Sequence, residues 1–471
     1  MAKRQITSNL WRLGIRERRT LLLLGDLFIG LVALVAALII WGLSEEWLGL
    51  SLAFIRERVV FWFYLLPLVW LLLVVELYDV HRAAHRRQVI NGILAATAIG
   101  FVLYLFVYFA SDNPLPRRGV AAFLGVASLL TLAWRLLYIR IFTAPEFMRR
   151  ILVVGAGRAG RTILEVINSL EPKPFELVGL IDDAPELLDS EIEGHQIIAN
   201  SESILDLIEN EAITDIIVAI SGTMMGSTFQ TILDAQERGI EIIRMPVAYE
   251  ELIGRVPINI LEADWILRSF VDEFRTRGFY EVLKRFIDIL GGIVGILFVG
   301  LILPFIGLAI LIDNGWPIFY GQERLGKGGQ IYEIIKFRTM RRDAEADGQA
   351  QLATEDDIRV TRMGRFLRKT HLDEFPQFIN VLRGDMSLVG PRAERPQLVD
   401  HFQRRIPFYR ARLLVKPGIT GWAQINYGYA SNLAETMMKL EYDLYYIKHR
   451  NIVMDAMILM RTPATMLGKG Q

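Results

Sequence analysis

No cysteine occurs among the 471 residues, which excludes both a disulfide framework and any thiolate metal site. That absence agrees with a reducing compartment. Net charge is also lacking, since 52 Lys and Arg offset 52 Asp and Glu. No nucleic-acid recognition motif accompanies the basic residues, so no nucleic-acid partner is expected. No cleavable signal peptide is expected either. The apolar run behind Lys3, Arg4, Arg12, Arg16, Arg18 and Arg19 is too long for one and shows no small-residue cleavage site. It reads instead as a first membrane-crossing helix. What the chain has in excess is apolar residues, 52% of the total with a mean hydropathy of +0.33, more than a soluble protein carries.

The zero net charge hides an uneven distribution. Residues 1–150 carry about +8, residues 151–270 about −14 and residues 321–471 about +7. The acidic middle suits solvent, and the basic C-terminal third suits lipid headgroups or phosphorylated substrates. Four apolar segments of spanning length run over 20–43, 59–78, 89–110 and 119–142. Basic residues cluster before the first, between the second and third (Arg82, Arg86, Arg87) and after the fourth (Arg140, Arg149, Arg150). Glu45, Glu46 and Glu57 follow the first, and only Arg117-Arg118 runs the other way. The positive-inside rule places the N-terminus and everything after residue 145 in the cytoplasm. Arg135, inside the fourth segment, must pair in the bundle or snorkel to the interface.

From residue 151 the pattern changes. Strand-like runs at 151–154, 177–181, 213–220 and 240–245 alternate with amphipathic helical stretches, which implies a parallel, doubly wound sheet. Gly155-Ala156-Gly157-Arg158-Ala159-Gly160 sits at the first strand-to-helix turn, and Asp182 ends the second strand, where a ribose hydroxyl would be met. Gly155, Gly157, Gly160 and Asp182 are thus candidate nucleotide-binding residues of a Rossmann-like domain. A tight turn and close helix–strand packing call for the same glycines, and no Tyr-x-x-x-Lys accompanies them.

The most informative stretch is 362–396. Asp373-Glu374 precedes a short helical pattern that opens near Pro376 and stops at Gly384, with Arg368, Lys369, Arg383 and Arg392 around it. Carboxylates at a helix N-terminus among arginines suit the binding and covalent transfer of a phosphate. An ordinary N-cap is the plainer reading of an isolated Asp-Glu. Three blocks decide between the two: Lys284-Arg285-Phe286-Ile287-Asp288 leading into a fifth apolar run; Gln322–Lys327 through Lys336-Phe337-Arg338-Thr339-Met340; and the acid pair through Pro391-Arg392, with Lys416–Trp422 beyond. In their order and spacing, from about residue 281 onward, they resemble the bacterial polyprenyl-phosphate sugar-1-phosphate transferases, the large monotopic phosphoglycosyl transferases.

The resemblance implies transfer of a sugar-1-phosphate from a UDP-hexose to undecaprenyl phosphate, with UMP released, at the cytoplasmic face of the inner membrane. Asp373 is the implied nucleophile and Glu374 the implied Mg²⁺ ligand. Lys336, Arg338, Arg368 and Arg392 match the phosphate-binding positions. It also bears on the fifth apolar run, 286–312, which contains Pro304. A full crossing would put the basic third on the far side, away from cytosolic nucleotide sugars. The family's helix, over about 284–313 here, instead enters, breaks at the proline and returns, although Leu303 stands where the family often has Ser. A simple kinked span is the alternative that hydropathy alone favours.

The expected layout is a four-helix transmembrane bundle (1–145), the Rossmann-like α/β insert (146–250), a linker (251–280) and a mainly α-helical catalytic domain with a re-entrant helix (281–471). The basic, aromatic segment 404–414 suits either a bilayer interface or a solvated helix. A homodimer would fit the family. Two rival classes remain at this stage: a membrane-anchored NAD(P)-dependent nucleotide-sugar enzyme, and a non-catalytic assembly protein.

Overall fold

A computed structural model describes residues 13, 15–44, 49–110, 116–142, 148–171, 173–261, 278–341, 359–428 and 432–468. Lys3, Arg4, Arg12, Glu45, Glu46 and most of the expected linker lie outside the described residues. The chain divides into two compact units, Met1–Ile253 and Gly254–Gln471.

In the first unit, α1 (Ile15–Leu43), α2 (Leu66–Leu73), α3 (Arg86–Ala110) and α4 (Arg117–Phe142) are the apolar helices. Three of them, α1, α3 and α4, are long and apolar enough to cross a membrane. The expected second span is not one helix. It breaks into a 3₁₀ turn at Phe61–Leu65, α2, and another 3₁₀ turn at Val75–Tyr78. Pro67 is the physical reason for the first break, because proline favours a first-turn position and starts the regular helix there. Polar side chains tie the helices together. Asp26 of α1 and Arg135 of α4, both fully buried, form an ion pair, and Arg135 also donates to the Leu77 carbonyl at 2.9 Å. Trp70 donates to Thr131 at 3.1 Å. Arg135 therefore pairs within the helices rather than reaching for an interface.

The rest of this unit holds β1 (Arg149–Val154), α5 (Arg158–Ser169), β2 (Phe175–Ile181), β3 (Glu191–Ile192), β4 (His195–Ala199), β5 (Asp215–Val218) and β6 (Glu241–Arg244). The strand order is β3-β4-β2-β1-β5-β6, parallel except for the β3–β4 pair. β1 is buried over its last four residues, as its unbroken apolar run requires. The small β3–β4 hairpin is not evident in the apolar pattern. Its turn, Glu193-Gly194, has positive φ at both residues, the geometry a two-residue hairpin needs.

The second unit is built on α6 (Gly278–Asn314), which contains Pro304. Gly291, Gly292 and Gly295 leave room on one face for Leu388, Leu382 and Phe378; any Cβ at Gly295 would run into the Phe378 ring. Two further contacts fix the start of α6. Lys284 pairs with Asp455 at 2.9 Å, and buried Asp288 accepts hydrogen bonds from Ser387 Oγ and the Leu388 amide, each at 2.9 Å. The C-terminal half packs Val299, Ile306 and Ile310 with Phe337 and Leu367, and Leu303 joins that cluster. At the far end, Asp313 accepts from the Met363 amide and Asn314 donates to the Met340 carbonyl. The opposite face, including Phe286, Val294, Leu297, Leu301, Phe305 and Ile312, is exposed and apolar.

β7 (Phe319–Leu325) and β8 (Ile331–Phe337) form an antiparallel hairpin. After them come α7 (Arg362–Lys369), a 3₁₀ helix at Leu372–Gln377, α8 (Phe378–Arg383) and β9 (Ser387–Val389). Segment 404–414 has one face in the core, while Arg404, Arg405, Arg410 and Leu414 are exposed. Ile406, Tyr409 and Leu413 are buried, and Arg412 is held by Asp443 at 2.7 Å and the Tyr409 hydroxyl at 2.8 Å. The arginine is there to neutralise a buried carboxylate.

Candidate active site

Asp373 and Glu374 lie just ahead of α8, as the sequence pattern suggests, but inside a 3₁₀ helix that leads directly into it rather than in open chain. The helix opens at His371, which has a left-handed φ of 55°, and the Glu374 amide already donates to the His371 carbonyl at 3.2 Å. The first turn therefore offers Glu374 fewer free amides than expected, and its charge is met by side chains instead. Gly384, at φ 94°, ends α8 where the glycine signal places it.

Lys336, near the end of β8, donates to Glu374 Oε1 at 2.7 Å. Arg392, just past β9, donates to both Glu374 oxygens, at 2.5 and 3.2 Å. Arg368 lies within electrostatic reach of Asp373 and is oriented by a 3.0 Å hydrogen bond to Thr339 Oγ1. A strand, a helix and a loop distant in sequence thus bring three predicted residues, Lys336, Arg368 and Arg392, around the acid pair. Arg338 is less engaged: its amide donates to the Ile318 carbonyl, and its buried Nη1 has no partner among the described residues. Pro304 is exposed within α6 and has no side-chain role in this cluster.

The two carboxylates are driven in opposite directions. Burial works to raise Glu374, but Arg392 and Lys336 outweigh it and hold the group well below the usual carboxylate range. Asp373 is pushed up to about 6 by burial and by the Glu374 charge, against the pull of Lys336, Arg368 and Arg392. Burial lowers Lys336 even though Glu374 opposes it. Two adjacent acids separated in this way can take different roles.

One positioning residue is not visible in the residue pattern. Asn380 of α8, fully buried, accepts from the Ile335 amide at 3.0 Å and donates to the Glu333 carbonyl at 2.7 Å. It fastens β8, and so Lys336, to the helix that follows the acid pair. An asparagine inside a helix is itself a weak signal, because its side chain competes for backbone groups.

In the sheet domain, Gly155 has φ +105°, and a Cβ at Gly160 would collide with the Gly155 carbonyl, so both glycines are needed by the turn itself. Asp182 braces that turn, accepting from the Ala156 amide at 2.7 Å and the Ala184 amide at 2.9 Å. Gly157 lies immediately before α5, with open space where a Cβ would go.

Residues 279–469 match the bacterial sugar transferase family, and residues 73–243 match a family described as a CoA-binding domain. An exopolysaccharide production protein, PSS, of Rhizobium leguminosarum bv. phaseoli is 36% identical over 40% of this chain and 98% of its own length. A UDP-N-acetylgalactosamine-undecaprenyl-phosphate N-acetylgalactosaminephosphotransferase of Aeromonas hydrophila is 41% identical over 46% of this chain and 50% of its own. An undecaprenyl-phosphate glucose phosphotransferase of Komagataeibacter xylinus is 28% identical over 79% of this chain and 70% of its own. The chain spans about half the length of several relatives that it matches. It belongs to the bacterial sugar transferase family. Its relatives across bacteria are named as undecaprenyl-phosphate sugar phosphotransferases.

Proposed function

We propose that this protein transfers a hexose-1-phosphate from a UDP-sugar to undecaprenyl phosphate at the cytoplasmic membrane face, releasing UMP, as the first membrane step of a polysaccharide pathway. The observation that carries the reading is the buried Asp373-Glu374 pair set among Lys336, Arg368 and Arg392 within the family match. An Asp373 carboxylate oxygen bonds to the phosphorus that bears the sugar. The bond from that phosphorus to the second phosphate breaks, and UMP leaves with the electron pair. A phosphate oxygen of the lipid then attacks the same phosphorus and displaces the carboxylate, so atoms balance without water or a redox partner. Lys336, Arg368 and Arg392 offset the charge of two anionic substrates.

The residues fit a magnesium ion held largely by substrate. Glu374 Oε1 accepts from both Lys336 and Arg392, while Oε2, among the described residues, accepts from Arg392 alone, which leaves a lone pair for a cation. One carboxylate plus substrate oxygens and water is a usual Mg²⁺ set. Bound there, the ion supplies positive charge to the phosphate oxygens.

A re-entrant α6 accords with the contacts. A straight helix of 37 residues would measure about 55 Å against a hydrocarbon core of about 30 Å. Yet Lys284 at one end and Asp313 and Asn314 at the other all bond to the same compact unit. Return to one membrane face keeps both ends with that unit.

The test is UMP release from a panel of UDP-sugars by the protein in lipid, with Mg²⁺, with and without undecaprenyl phosphate. Lipid-dependent release that disappears in Asp373→Asn supports the reaction and names the sugar. Silence across the panel refutes it.

A further inference from the structure

Beside Glu374 lies a small cleft whose walls include Arg324, Lys336, Gln377, Met386 and Arg392. Gln377 is only 2% exposed, and its amide nitrogen has no partner among the described residues. In a 3₁₀ helix, side chains three residues apart stand in line, so Gln377 stacks over Glu374. Arg324 is clamped by bonds to the Ala393 carbonyl at 3.2 Å and Gln322 Oε1 at 2.7 Å, which leaves its buried Nε unpartnered. Tyr332 sits directly opposite Arg324 in the hairpin register, and its buried hydroxyl is likewise unpartnered.

Buried donors without acceptors are costly, and a folded protein retains few of them. Two of them, on Gln377 and Arg324, belong to residues that line the cleft beside Lys336 and Arg392, and the third, on Tyr332, belongs to the strand residue opposite Arg324. The nearby carboxylate, Glu374, is already engaged by Lys336 and Arg392. What such a cleft lacks is an acceptor with several lone pairs and negative charge. A phosphate offers both.

We propose that this cleft is a phosphate subsite, formed by Gln377, Arg324 and Tyr332, that receives the phosphate of the departing nucleoside monophosphate. The inference rests on the transfer reaction proposed above and deepens it. Asp373 bonds to the sugar-bearing phosphorus, and the neighbouring phosphate, one bridging oxygen away, enters the cleft. The Gln377 amide and the Tyr332 hydroxyl then donate to its oxygens. The bridging P–O bond breaks with its electron pair going to that phosphate, and the subsite holds the product until it leaves.

The experiment measures equilibrium binding of UMP and of inorganic phosphate to the full-length protein in lipid nanodiscs, together with its thermal midpoint. Wild type is compared with Gln377→Leu, Gln377→Glu and Tyr332→Phe. The expected result is at least fivefold weaker binding of both anions in Gln377→Leu and Tyr332→Phe. Gln377→Glu, which adds a like charge, weakens them further. The midpoint of Gln377→Leu stays level or rises, because the variant removes an unpartnered buried amide. A structural amide would do the opposite. Unchanged affinities in Gln377→Leu and Tyr332→Phe overturn the proposal. So does a loss of affinity that appears only with a lowered midpoint, or a wild type that binds neither anion. If wild type binds phosphate, the variants lose it and UMP gains nothing over phosphate, the subsite stands and the nucleotide reading of the reaction falls.

Discussion

Asp288 offers a direct test of how the apolar helix is joined to the rest of the second unit. One of its oxygens accepts two buried hydrogen bonds, from Ser387 Oγ and the Leu388 amide, both at 2.9 Å. Asp288→Ala strands both donors in a site from which water is largely excluded. A hydrogen bond to a charged group contributes about 1.5–3 kcal/mol, so two together amount to roughly 3–6 kcal/mol. For a unit of this size, that lowers the thermal midpoint by roughly 6–24 °C. Asp288→Asn keeps an acceptor oxygen at the same place and loses only the charge, so its cost is expected to be about half. Trp422, buried in the same unit, provides a fluorescence signal for melting in nanodiscs. An alanine variant within about 1 kcal/mol of wild type would refute the reasoning. So would an asparagine variant as damaged as alanine, because the geometry rather than the charge is what Asn preserves.

Three further outcomes are expected. Asp373→Asn is close to isosteric and should abolish turnover while leaving the melting midpoint within a few degrees of wild type; retained UMP release would remove it as nucleophile. Glu394 is raised by burial but pulled down to about 2 by Lys439, Arg412, Arg324 and Arg392, so it contributes stability above its ordinary value of 4.5 that is lost as pH falls toward 2. That contribution is about 3 kcal/mol, and Glu394→Gln should lose it at pH 7 and show a correspondingly flatter stability profile below pH 4.5 in melts across pH. The chain has no cysteine, so single cysteines at the exposed positions Phe279 and Trp316 can be labelled without background. Re-entry predicts that an impermeant thiol reagent reaches both from the cytoplasmic side of inverted vesicles; opposite-side labelling would establish a full crossing.

How much of this was legible in the sequence depends on the kind of signal. Long apolar runs and buried strand runs are local, and α1, α3, α4, β1 and β2 follow them closely. The second apolar segment is helical as its hydropathy implies, but continuous hydropathy hides the change from 3₁₀ to α-helix that Pro67 marks. The acid pair was legible as an anomaly of charge, but its setting was not. That Lys336 and Arg392 close on Glu374 depends on a hairpin and a loop meeting across long sequence separations, which no periodicity encodes. Segment 404–414 shows the converse: Asp443, about thirty residues later, turns Arg412 inward, which composition does not foretell, while Arg404, Arg405 and Arg410 stay exposed. Arg324 and Gln377 fall within the resembling blocks, but that they and Tyr332 hold unpartnered donors is not legible there, because an unpartnered donor is a property of its surroundings.

The face of α6 that meets Val381, Phe337 and Leu367 is part of the second unit's own interior, while its other face is left apolar and bare. Anchor and wall are therefore the same element. Cutting the helix away to obtain a soluble fragment would remove one side of the hydrophobic core together with the tether. Keeping it in plain water would expose the other side to aggregation. Such a unit is complete only when lipid, or something that imitates lipid, supplies its last surface, so detergent choice becomes a variable of folding and not only of solubility.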